Sequence, residues 1–153
     1  MQAATFTTFK MICLAGLAGQ LAFEAYAWLI SPMVFGPTLE PANLVTAIGA
    51  KIAGIVLPYG PAFIIHFLIG AVLFALMVYA AQLVLRRGYI LAGLATGLVL
   101  WFVAQGILAP FIGRSFMMDF GPYTQSSFVA HTGMTLVIGF VMSKLLQKND
   151  VPA

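Results

Sequence analysis

The sequence has very few charged residues and a single cysteine, and each shortage excludes a class of protein. Of its 153 residues, 7% are charged and 62% are apolar, whereas a water-soluble domain carries about 25% charged residues. Such a chain cannot cover a folded core with polar surface, so we expect lipid to be its solvent. The lone Cys13 excludes a disulfide within the chain and a cysteine-based metal motif. The seven basic residues are too scattered to form a nucleic-acid-binding face, so we expect no nucleic-acid partner.

Long apolar runs, in contrast, are abundant. A helix needs about 20 apolar residues to cross a bilayer, and four stretches are long enough. We therefore predict an all-α fold, an integral membrane four-helix bundle, with residues 1–153 forming a single transmembrane domain. Its expected partners are the lipid bilayer and other membrane subunits or a second copy of the chain. The four predicted spans are residues 9–30, 61–85, 89–112 and 127–146.

The basic residues predict how the bundle is oriented. Five of the seven fall on the side that holds both termini, and two fall on the other side. Basic loops are retained in the cytoplasm, so we predict a multi-pass protein of the cell inner membrane with a cytoplasmic N-terminus and C-terminus. The five are Lys10, Arg86, Arg87, Lys144 and Lys148, and the two are Lys51 and Arg114.

The first external loop contains a predicted amphipathic helix over residues 41–57. Glu40-Pro41 can begin a helix, and apolar side chains follow it at helical spacing. We expect a short interfacial helix that lies on the outer face of the membrane. Its small residues would also allow a re-entrant segment packed against the bundle. The apolar positions are Leu44, Ile48, Ile52 and Ile55, and the small ones are Gly49, Ala50, Ala53 and Gly54.

Glycines recur within the spans at spacings that favour close contact between helices. Such contact can occur within the bundle or against another protein, and we expect it within the bundle. The motifs are Gly16-x-x-Gly19, Gly93-x-x-x-Gly97, and Gly133 with Gly139.

Apart from Lys10 and Lys144 at their ends, the predicted spans contain three side chains that ionise near or below neutral pH, Glu24, His66 and His131. An acidic group at mid-span costs roughly 2.5–3.5 kcal/mol when it faces lipid, so each of them needs an inward-facing partner. At a rise of about 1.5 Å per residue, all three lie at a similar depth near the outer end of the bundle. Gln105 falls at the same level, with Trp101 one turn away on the same helix face. We predict that these five residues form one polar layer.

The layer has several interpretations. As an interhelical hydrogen-bond network, Glu24 would accept from a histidine and Gln105 would close the ring. As a cofactor site, His66 and His131 could be the axial ligands of a b-type haem. The same histidines could hold a transition metal together with Glu24, or bind a quinone headgroup beside Glu24 and Trp101. The sequence assigns no catalytic residue, no metal ligand and no single cofactor, because it contains no nucleophile–base pair and no closely spaced ligand motif.

The arrangement as a whole resembles uncharacterised small four-helix proteins of the bacterial inner membrane, of the YagU-like kind. The resemblance rests on two short hairpins, a histidine near the outer start of the second and fourth spans, and the proline-rich loop from Ser31-Pro32 to Glu40-Pro41. It implies the fold and the membrane, and it carries over no functional residue.

Three functions are compatible with these features. We expect a small accessory or assembly subunit of a larger membrane complex. The first alternative is a redox-cofactor-binding protein that uses His66 and His131. The second is a small component of a transporter or channel, since an acidic residue within a span can mark an ion pathway.

Overall fold

Five α-helices form most of the described chain, and the computed structural model describes residues 6–146. In chain order they are α1 (Phe6–Val34), α2 (Pro41–Ala53), α3 (Tyr59–Leu85), α4 (Tyr89–Phe111) and α5 (Pro122–Leu146). All except α2 are long and apolar enough to cross a membrane. Residues 6–146 contain no β-strand, so the prediction of an all-helical chain with four long apolar helices is confirmed. Lys148, predicted on the cytoplasmic side, lies outside the described residues.

Helix α5 is the centre of the bundle. It makes its most extensive contact with α4 and the next most extensive with α1, while α3 packs mainly against α1. The buried core includes Ile12 and Phe23 of α1 together with Met134, Ile138 and Met142 of α5. The opposite face of α1 exposes a row of leucines, Leu14, Leu17 and Leu21. An apolar outer surface of this kind is what a lipid-facing helix requires.

Two prolines lie inside long helices without ending them. Pro32 follows a π-helical segment at Tyr26–Ile30, and Pro110 follows another at Val103–Leu108. A proline ring normally clashes with the carbonyl group four residues earlier, and a widened π turn is one way for a helix to accommodate a distortion. Helix α1 therefore continues to Val34, beyond the end of the predicted first span.

Left-handed residues end the two helices that precede short connections. Helix α2 ends at Ala53, four residues before the end of the predicted segment 41–57, and Gly54 (φ 68°) caps it. Helix α3 ends at Leu85, and Arg86 (φ 53°) caps it by donating its backbone N–H to the carbonyl oxygen of Gln82. Gly88 follows Arg87 and precedes α4 with φ 93°. A glycine is needed there because a side chain rarely tolerates that backbone conformation.

Candidate ligand-binding site

A cavity of about 200 Å³ lies between the helices at the end of the bundle where α2 packs. Its walls are largely apolar, and all five helices contribute to them. Helix α2 covers it with Leu44, Val45 and Ile48. A concave apolar site with a few convergent polar groups is the usual form of a small-molecule site. The polar side chains that line it are His66, Gln105, Arg114, Tyr123, Ser127 and His131.

Two π-helical segments shape the walls of this cavity. Ile69–Phe74 in α3 places Ile69 and Phe74 on the lining. Val103–Leu108 in α4 contributes Gln105. π-Helical turns are rare and occur frequently at functional sites.

His131 is held in one orientation by its own helix. Its Nδ1 lies 2.7 Å from the backbone carbonyl oxygen of Ser127 and 3.2 Å from the Ser127 hydroxyl oxygen. A carbonyl oxygen can only accept, so Nδ1 carries the proton and donates it to that oxygen. In the neutral imidazole the other nitrogen, Nε2, is then an acceptor.

His66 faces the same cavity from α3. Its Nδ1 is buried and has no hydrogen-bond partner within residues 6–146. The rings of His66 and His131 both pack against Phe23, with centroid separations of 5.6 Å and 6.2 Å respectively. Phe23 therefore brings the two imidazoles to one part of the cavity.

Gln105 is linked to His131 through Ser127. Its Nε2 donates to the Ser127 hydroxyl oxygen at 3.0 Å, and the glutamine is itself buried. Trp101, one turn earlier, does not line the cavity. Its indole N–H donates to the backbone carbonyl oxygen of Thr124 at 3.1 Å, which ties α4 to α5. Of the five predicted residues, the cavity thus unites His66, His131 and Gln105.

Glu24 also lies outside the cavity lining. Its carboxylate accepts from the Gln20 side chain at 2.7 Å and from the Trp28 indole N–H at 3.0 Å. Both partners are four residues away on the same helix face, so the carboxylate is satisfied within α1. The predicted network had a histidine as the donor to Glu24. That prediction is wrong, because the donors are Gln20 and Trp28.

The mouth of the cavity carries a charged group. Arg114, in the connection between α4 and α5, is exposed and lines the opening. The phenol oxygen of Tyr123 faces the Arg114 side chain and the backbone of Glu40. These contacts join the α4–α5 connection to the segment just before α2.

A left-handed turn precedes α5 on this side of the molecule. Residues 117–120 all have φ between 43° and 56°. Such a conformation costs roughly 1–2 kcal/mol for each residue that has a side chain, so tertiary contacts must hold it. The buried Thr124 hydroxyl donates to the carbonyl oxygen of Met117 at 2.6 Å, and the Met117 side chain is itself buried.

The geometry distinguishes among the predicted cofactors. In residues 6–146, no three His, Cys, Asp or Glu side chains lie close enough to hold a metal ion together. The metal hypothesis that combined both histidines with Glu24 is therefore wrong. A cavity of about 150 Å³ can hold benzene. The cavity here, at about 200 Å³, has room for one substituted ring and is much smaller than a porphyrin requires.

Several lining residues were not identified from the sequence. Ser127 could have been identified, because it lies four residues before His131 and so on the same helix face. No feature of the sequence marks Phe23 or Tyr123 as a lining residue, because an aromatic residue in or beside an apolar run most often only packs. The role of Leu44 and Ile48 followed only from the docking of α2 over the cavity.

Comparison of this chain with protein-family models, with curated proteins and with solved structures found no match.

Proposed function

We propose that this chain is a multi-pass protein of the inner membrane with both ends in the cytoplasm and the cavity near the outer face. Lys51 and Arg114 belong to the connections around the cavity, whereas the Arg86-Arg87 turn joins α3 to α4 at the other end of these helices. The end with more basic residues is the one that stays in the cytoplasm. The exposed leucine row of α1 supports contact with lipid.

Reporter fusions should test this orientation. A reporter inserted after Arg87 or placed after Leu146 should be active only as a cytoplasmic reporter, and one inserted after Gly113 only as a periplasmic reporter. The reason is that basic connections resist translocation. A periplasmic signal after Arg87 would contradict the proposed orientation.

We propose further that the protein binds a small, largely apolar molecule in the cavity beneath α2. The single observation that carries this proposal is the convergence of His66, Gln105 and His131 on an otherwise apolar cavity of about 200 Å³. These three side chains come from three different helices, α3, α4 and α5, and a ligand in the space between them could reach more than one of them.

Fluorobenzene is a suitable probe of this cavity. We expect saturable one-to-one binding of fluorobenzene to the purified protein in mild detergent, measured by fluorine NMR. Replacing Ala104, which lines the cavity, by phenylalanine should abolish binding because the new ring fills the space. The matched control is Ala80→Phe, at an exposed position of α3, which should bind like the unmodified protein.

The two variants distinguish a site from simple partition into detergent. Gel filtration and thermal unfolding should show that both remain folded. Uptake of fluorobenzene that never saturates, and that is equal in both variants and the unmodified protein, would refute the binding proposal. The accessory-subunit and transporter functions are not tested by this experiment and stay predictions.

A further inference from the structure

We infer that the ligand of the cavity is a ring that carries a hydroxyl group, a phenol or a hydroquinone, whose O–H donates to Nε2 of His131. This inference rests on the proposed binding function and specifies its ligand. It differs from the quinone headgroup that was one of the alternatives considered from the sequence, because an oxidised quinone ring offers only carbonyl acceptors.

The first step concerns the hydrogen-bonding capacity of His131. Its Nδ1 proton is engaged by the Ser127 carbonyl oxygen at 2.7 Å, within one turn of α5. The fixed helix backbone therefore selects the tautomer in which Nε2 has a lone pair and no proton. A carbonyl group placed against that nitrogen would put two acceptors in contact. A ligand O–H group is the complement that satisfies it.

The second step concerns His66, which lines the same cavity from α3. A neutral imidazole has a single N–H, and buried N–H groups without a partner are rarer than buried acceptors without one. Since Nδ1 of His66 is buried and unpaired, we place the proton on Nε2. That N–H can donate to the oxygen of the same ligand hydroxyl, which donates in turn to His131. Packing of both rings against Phe23 keeps the two imidazoles near one site.

The third step concerns the rest of the ligand. The remaining walls are mainly aliphatic and aromatic, with Ile69, Phe74 and Leu100 among them. Benzene fits a cavity of about 150 Å³, so the cavity of about 200 Å³ takes one ring with a small substituent. A charged headgroup would lack a counter-charge at this depth, because the cationic Arg114 lies exposed at the mouth.

Two fluorinated rings of nearly equal size test the role of the hydroxyl group. We expect 4-fluorophenol to bind about tenfold more tightly than 4-fluorotoluene, after correction for the partition of each into detergent, because the methyl group leaves Nε2 of His131 unpaired. In His131→Leu this preference should disappear. Retained binding of 4-fluorotoluene in the variant is the control that its cavity is still formed.

The outcomes separate the two proposals. If both rings bind equally to the unmodified protein, the hydroxyl inference is overturned while the binding function stands. If neither ring shows saturable binding, both fail. If the preference persists in His131→Leu, the assignment to His131 is overturned.

Nitrogen NMR of the histidine rings gives an independent readout of the tautomers. The chain has only two histidines, so a protein with a histidine-free tag gives two sets of ring signals. We expect one ring in the Nδ1–H tautomer, assigned to His131 by its loss in His131→Leu. Its Nε2 signal should shift with 4-fluorophenol and not with 4-fluorotoluene. An Nε2–H tautomer for His131 would overturn the inference.

Competition identifies the source of the hydroxyl-bearing ring. Displacement of 4-fluorophenol by decylhydroquinone would assign a membrane-dissolved quinol whose ring occupies the cavity while its chain extends out through the opening, and a failure to displace it would assign a smaller, water-soluble phenol. Equal displacement by the oxidised decylbenzoquinone would overturn the inference, since that ring has no O–H to donate.

Discussion

Replacement of Gly93 by alanine is expected to lower the stability of the bundle by about 3 kcal/mol, near the upper end of the range for overpacked cores. A Cβ atom at Gly93 would collide with the backbone carbonyl group of Thr135. Backbone at the middle of α5 cannot move aside as a side-chain end could, so α4 and α5 must separate. That separation weakens the most extensive contact in the molecule.

Gly133→Ala is the matched control for this substitution. A Cβ atom at Gly133 would meet no atom within 4 Å, although this glycine also lies in the middle of a long helix. Alanine favours a helix over glycine by roughly 0.5–1 kcal/mol, so this variant should be as stable as the unmodified protein or slightly more stable. The measurement is unfolding of each purified variant in mixed detergent micelles. Equal stabilities of Gly93→Ala and Gly133→Ala would contradict the close packing of α4 on α5.

Replacement of Ser126 by alanine is expected to cost about 1–2 kcal/mol, because the serine is the middle member of a buried chain of hydrogen bonds. The Ser31 hydroxyl donates to the carbonyl oxygen of Pro37 at 2.6 Å and has no second proton. Ser126, at 2.6 Å, must therefore donate to Ser31, and the Tyr26 hydroxyl at 3.0 Å must donate to Ser126. Alanine leaves the Tyr26 hydroxyl without its acceptor and removes a bond between α1 and α5.

Ser143→Ala provides the comparison on the same helix. The Ser143 hydroxyl donates only to the carbonyl oxygen of Phe140, three residues earlier, and joins no other helix. Its loss should change the free energy of unfolding by less than about 0.5 kcal/mol, as for a surface substitution. The two serine variants should be compared by thermal unfolding in the same detergent. A Ser126→Ala variant as stable as Ser143→Ala would show that the chain of hydrogen bonds contributes little.

The sequence alone determined the class of the fold. Apolar runs separated by Arg86-Arg87-Gly88 and by proline-rich stretches predict four long helices, because length and hydropathy depend only on local sequence. The start of α2 was predictable for the same reason, since Pro41 favours the first turn of a helix. The end of α1 and the start of α5 were less predictable. Whether Pro32 ends a helix depends on the π turn before it, and the local sequence does not predict that turn.

The depth of the polar residues was also predictable from the sequence, but their partners were not. Counting residues along helices placed His66, His131 and Gln105 at one level, and all three line the cavity. The same counting placed Glu24 and Trp101 at this level, but neither lines the cavity. Glu24 accepts from Trp28, and Trp101 donates to the carbonyl oxygen of Thr124. Depth follows from the helical rise, whereas the direction of a side chain depends on how its helix is rotated against its neighbours. Only packing fixes that rotation.

The glycines show most directly what tertiary structure decided. The sequence predicts a helix contact equally for four glycines, because it shows only that each residue is small. They are Gly93, Gly97, Gly133 and Gly139. In the folded chain, a Cβ atom at Gly93, Gly97 or Gly139 would collide with a neighbouring helix, whereas one at Gly133 would meet open space. The cavity likewise exists only where α2 covers the ends of the long helices. Local sequence determined which segments become helices, and the contacts between distant helices determined which small residues are indispensable and where an unfilled space remains.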